Sequence, residues 1–115
     1  MVKKMISYGL MLLMVGAFMF PSKSEAASIS ATSSGKTFDK TWAMTKNSGY
    51  AKLEYGFHKG ISSKDVAYAN HSKDKHNSAI KNGSGRSVGP TKNAGTWSDL
   101  EVKHSGSSIT YYCEW

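Results

Sequence analysis

The sequence predicts a small all-β domain, a sandwich or flattened barrel of about five to seven short strands, behind a cleaved N-terminal segment. Three observations carry this. Apolar residues recur with period two from Phe38 onward, with Gly, Asn and Ser clusters between the runs. No window after the first 26 residues keeps the i, i+3, i+4, i+7 stripe of an amphipathic helix. Glycine is scattered along the chain rather than confined to one linker.

The first element is not part of that domain. Lys3 and Lys4 precede an uncharged apolar run, Met5 to Phe20, which Pro21 breaks; Ser24-Glu25-Ala26 then offers small residues where signal peptidase reads. This is the pattern of a secretory signal helix, residues 1–26, cleaved between Ala26 and Ala27. The run is short for a membrane-spanning helix, which needs roughly 20 apolar residues. The mature chain, 27–115, is then 89 residues long and forms one domain at most. Its expected location is extracellular.

Cleavage removes three of fifteen basic and one of eight acidic residues, leaving twelve against seven, a net charge of +5. A basic exported protein is drawn to anionic surfaces such as lipid headgroups, wall polymers and phosphorylated wall precursors. Nucleic acid is not an expected partner, because the chain is exported and carries no recognisable nucleic-acid module.

The mature chain reads in order as follows. Residues 27–49 begin with ASISATSSGK, a flexible lead or weak edge strand. Thr41-Trp42-Ala43-Met44 is a short strand ended by Asn47-Ser48-Gly49. The domain proper is expected over 50–115. In YAKLEYGF, residues 50–57, Ala51, Leu53, Tyr55 and Phe57 share one face while Lys52 and Glu54 point to the other. Val66 to Ala69 and His76 to Lys81 are the next strands, followed by the turn NGSGR, 82–86, with the loop continuing through Val88-Gly89-Pro90. Thr96 to His104 and Ser108 to Trp115 are the last two strands, and Ser105-Gly106 between them reads as a hairpin turn.

In the terminal strand Ile109, Tyr111, Cys113 and Trp115 share a face, so the chain ends on a core residue rather than a polar tail. The expected core aromatics are Tyr55, Phe57, Trp97, Tyr111 and Trp115. Tyr112 points away from that core. Cys113 is the only cysteine, so no internal disulfide forms. A buried thiol is the favoured reading, and a Cys113–Cys113 dimer is the alternative.

Several stretches resemble, in order, the lactococcin 972 family of secreted bacteriocins. YAN at 68–70 leads into HSKDKHNSAI at 71–80, Gly85-Arg86 follows an Asn-rich turn, AGTW stands at 94–97, and ITYYCEW closes the chain at 109–115. The family usually has a Trp near the position of Leu53, and its pattern does not cover 27–49. The resemblance implies an antiparallel β-sandwich and an antibacterial protein that binds the wall precursor lipid II and blocks septum formation. It also implies association as a homodimer and a neighbouring transporter-type immunity system. The alternative is a secreted module that binds wall or another anionic polymer without killing.

The candidate ligand-binding residues are Lys73, Lys75, His76, Arg86 and Tyr112. Arg86 suits bidentate pairing with phosphate oxygens, and Lys73 and Lys75 suit point contacts, so together they fit the pyrophosphate that the resemblance implies. The Gly83-Ser84-Gly85 backbone offers further N–H donors to an anion. No cofactor is expected. His71 and His76 imply no metal site, because no further ligands accompany them. No nucleophile elbow or paired-carboxylate motif marks an enzyme.

Overall fold

A computed structural model describes residues 27–115. The expected signal helix, residues 1–26, lies outside the described residues. Eight strands follow: β1 Ser28–Thr32, β2 Trp42–Ser48, β3 Ala51–His58, β4 Lys64–His71, β5 Asn77–Asn82, β6 Gly85–Val88, β7 Ser98–Lys103 and β8 Thr110–Glu114. They build two antiparallel sheets of four strands each. The terminal sheet, which holds the first and last strands, runs β1-β8-β5-β6; the meander sheet runs β2-β3-β4-β7. The described residues are all-β, as the alternation predicts, with more strands than expected.

The alternation explains the burial. Ala51, Leu53, Tyr55 and Phe57 face inward from β3, and Ala67 and Ala69 from β4. Across the gap, Ile80 on β5 and Tyr111 and Cys113 on β8, with Ile109 just before it, complete the core. The small Ala67 and Ala69 leave room for the Tyr55 and Tyr111 rings, whose centroids are 5.0 Å apart. Trp115 is half-buried and packs against this cluster. Trp42 closes the open edge with edge-on contacts to Tyr55 and Tyr111.

Residues 27–49 contribute an edge strand to each sheet. β1 pairs with β8, from Ser28↔Glu114 to Thr32↔Thr110, and β2 pairs with β3 through the two-residue turn Gly49-Tyr50. Gly49 takes φ 58° there, a conformation that favours glycine.

Two local expectations are corrected. Gly85 to Val88, read as turn and loop, is β6, paired with β5 from Asn82↔Gly85 to Ala79↔Val88. Four residues with only Val88 apolar show no usable alternation. Ser105-Gly106 is a turn, with Gly106 at φ 82°, but not a hairpin: β7 and β8 lie in different sheets. A turn signal specifies reversal, not the next partner. β7 carries Asp99, Glu101 and Lys103 on one face, which suits a solvated edge. β8, apolar on alternate residues, sits between β1 and β5.

Candidate functional site

Four of the five resembling stretches, YAN, HSKDKHNSAI, AGTW and ITYYCEW, meet at one corner of the sandwich, while Gly85-Arg86 lies at the other end of β5. β4 ends at His71, and the loop 72–76 leads into β5. The His71 ring organises this loop. Its Nδ1 accepts N–H bonds from Lys73 at 3.1 Å and Asp74 at 2.9 Å. Its ring lies 4.7 Å from that of Trp115. The His71 carbonyl accepts the Gly95 N–H at 3.0 Å, tying in the turn before β7. Ser72 N–H donates to the Tyr50 carbonyl at 2.9 Å, joining the β2–β3 turn.

His76 closes the other side of the loop. Its Nε2 lies 2.6 Å from the Thr96 carbonyl and its Nδ1 lies 2.9 Å from the Asp74 carbonyl. Its backbone exchanges two hydrogen bonds with Lys92. The side chain is 1% exposed. The sequence offers His76 as a ligand contact; the structure makes it a buried brace between loop 72–76 and the segment before β7. The polar loop around it gave no sign of this, because both of its partners are backbone carbonyls.

The other candidates fall in two places. Lys73 and Lys75 are exposed on the loop, with the Lys73 Nζ 4.8 Å from the centroid of the Tyr50 ring. Among the described residues neither forms an ion pair. Arg86 and Tyr112 stand together on the outer face of the terminal sheet, the guanidinium 5.1 Å from the ring centroid. Arg86 is already engaged: its Nη2 donates to both carboxylate oxygens of Glu114, at 2.6 and 2.7 Å. Asn77 donates to the same carboxylate at 3.0 Å.

The turn expected to offer backbone donors to an anion is also largely occupied. Gly83 N–H donates to the Ser105 carbonyl at 2.8 Å, and Ser84 N–H to Asn82 Oδ1 at 2.9 Å. The cationic surface that remains is Lys73 and Lys75 on a braced loop. It is suited to charge-assisted binding of an anion. Among the described residues no group of three or more His, Cys, Asp or Glu side chains is placed to hold a metal ion.

Of the expected core aromatics, Tyr55, Phe57 and Tyr111 are buried and Trp115 is half-buried. Trp97 is the correction. It stands half-buried on the outer face of the meander sheet, beside Asp99 and Glu101. Parity along TWSDLEVKH already groups Trp97 with those carboxylates, opposite Leu100 and Val102; side-chain size outweighed that signal. The Cys113 thiol is buried and donates to the Asn70 carbonyl at 3.6 Å. Burial pushes its pKa up to about 11, so it is a poor thiolate source and a Cys113 bridge would require β8 to leave the core.

Burial pushes the His71 pKa below its ordinary value of 6.5, with Asp74 opposing the shift and His76 adding to it. Protonation also costs the two N–H bonds that Nδ1 accepts. The neutral ring is therefore the folded form. Its contribution to stability is full above pH 6.5 and is lost as pH falls below that value. Urea unfolding followed against pH should show stability falling below this point. The fall should be shallower in His71→Gln; equal slopes in the two proteins would refute the assignment.

No family model, curated protein or solved structure matches this chain.

Proposed function

We propose that the chain is a secreted, non-enzymatic antibacterial protein of the lactococcin 972 type, which binds an anionic wall precursor such as lipid II and blocks septum formation. The observation that carries this reading is the convergence of four of the five resembling stretches, all but Gly85-Arg86. YAN ends at Asn70, whose Nδ2 donates to the Gly95 carbonyl of AGTW at 3.4 Å and whose carbonyl accepts from Cys113 of ITYYCEW. His71 and His76 of HSKDKHNSAI pack on Trp115 and bond to the Thr96 carbonyl. Segments spread over about half the mature chain thus support one loop that presents Lys73 and Lys75. In this reading the loop grips the pyrophosphate, and Tyr112 and Arg86 form a separate surface.

A second reading, a wall- or polymer-binding module without toxicity, is favoured by the neutralisation of Arg86 by Glu114. That pairing leaves fewer cations for a tight pyrophosphate site.

Binding of the exported chain to vesicles with and without lipid II, at matched surface charge and across salt concentrations, separates the two. The bacteriocin reading expects binding that needs lipid II, survives raised salt and weakens about tenfold in Lys73→Ala/Lys75→Ala. Equal binding to any anionic vesicle, vanishing with salt, would leave only net charge at work and favour the second reading.

A further inference from the structure

The outer face of the meander sheet carries a shallow depression of about 590 Å³, lined by Glu54, Tyr68, Trp97, Asp99 and Glu101. Strand pairing creates it. Glu54, Tyr68 and Asp99 form one cross-strand row over β3, β4 and β7. The adjacent row is Ala43, Gly56, Val66 and Glu101, two of which have little or no side chain.

The depression is locally acidic, while Lys52, Lys64 and Lys103 stand on the same face in the flanking rows. Among the described residues, Asp65 is bonded to His104 and Asn82, Glu114 to Arg86 and Asp39 to the Thr37 hydroxyl, and Asp74 stands by His71. Glu54, Asp99 and Glu101 have no basic partner within ion-pair distance among the described residues. Asp99 and Glu101 are two residues apart on β7 and Glu54 lies two strands away on the same face, so their like charges repel. The chain has eleven lysines after residue 26, yet none pairs with these three groups. Tyr68 donates its hydroxyl to Glu101 Oε2 at 2.9 Å. Its pKa is pushed up to about 12, first by burial, then by that bond and by the charges of Glu101, Asp99 and Glu54. The phenol therefore stays neutral.

The carboxylates do not converge closely enough to chelate a metal ion. The space between them is walled by two aromatic rings, those of Trp97 and Tyr68. Aromatic faces together with carboxylates recognise a cation that carries carbon.

We propose that this depression binds an alkylammonium group, with Trp97 and Tyr68 supplying the π faces and Glu54, Asp99 and Glu101 the countercharge. The group has two natural sources, a lysyl side chain or a choline-type headgroup. The site lies on the outer face of the meander sheet and uses neither Lys73 nor Lys75, so it stands apart from the anion reading above and can fail independently of it.

The test is an NMR titration of the purified chain, read at the Trp97 indole N–H. The probes are choline, Nα-acetyl-lysine amide, their neutral counterparts 3,3-dimethylbutanol and Nα,Nε-diacetyl-lysine amide, and N-acetylglucosamine, all at constant ionic strength. The expected result is a saturable shift with an ammonium probe and none with its neutral counterpart. Binding should be about tenfold weaker in Asp99→Asn/Glu101→Gln. The tighter of the two ammonium probes identifies the source. Saturation by the sugar alone, equal response to charged and neutral probes, or no saturable shift with either ammonium compound would overturn the proposal. The neutral probes decide the matter on the unmodified chain even if the double variant fails to fold.

Discussion

Asp65→Ala is expected to lower the unfolding free energy by about 3 to 5 kcal/mol, because two hydrogen bonds to a buried carboxylate, each contributing about 1.5 to 3 kcal/mol, are lost. Asp65 is 0% exposed, at the inward-facing start of β4. Its Oδ1 accepts from His104 Nδ1 at 2.8 Å and its Oδ2 from Asn82 Nδ2 at 2.9 Å. The His104 ring is packed against Phe38 and Phe57, with centroids 4.3 and 4.9 Å away. The carboxylate therefore joins β4, β5 and the end of β7 at one end of the sandwich. Removing it leaves His104 Nδ1 without its acceptor in an aromatic cage; the Asn82 Nδ2 keeps only its bond to the Lys103 carbonyl, at 3.0 Å. A domain this size is stable by only about 4 to 13 kcal/mol, so the loss is a large share. Asp65→Asn keeps the volume and one acceptor and should cost less. Urea midpoints measure both; a loss of under about 1 kcal/mol in Asp65→Ala would show that the pair contributes little net stability.

Gly56→Ala is expected to cost about 3 kcal/mol and to detach β2. A Cβ at Gly56 would stand 2.2 Å from the Trp42 carbonyl oxygen and 2.9 Å from the Ala43 Cα. Both are backbone atoms, so no side-chain rotation relieves the clash. β2 has to move. It is an edge strand, exposed along its length apart from Trp42, so little besides the ladder and that indole holds it. Losing Trp42 would also open the Tyr55–Tyr111 side of the core and break its indole N–H bond to the Thr37 carbonyl, 2.9 Å in length. Amide exchange across Trp42–Ser48 should accelerate in the variant while β8 amides stay the most protected. Unchanged exchange in β2 would show that the strands absorb the extra methyl group.

The strand that carries YAKLEYGF was legible because alternation is local: each residue's face follows from its neighbours two places away. The same parity put Tyr111 and Cys113 inside and Tyr112 outside. The functional surface was much less legible. Lys73 and Lys75 stood out as charges in a polar loop, but nothing in the sequence separates exposed Lys75 from buried His76 beside it. The distinction comes from the Thr96 carbonyl, which is 20 residues away. Arg86 looked available for an anion because Glu114, which occupies it, is 28 residues further on.

By itself the sequence determined the β class, the inward and outward residues of β3 and β8, and the excess positive charge, since each depends on composition or on spacing along a few residues. Only the tertiary structure decided which sheet each strand joins, that Asp65 meets His104 across 39 residues, and that Glu54, Tyr68, Asp99 and Glu101 share one face. A strand's period states which side it buries. Its neighbours are chosen by packing and hydrogen bonding between segments far apart in the chain, and those energies exist only once the sandwich has closed.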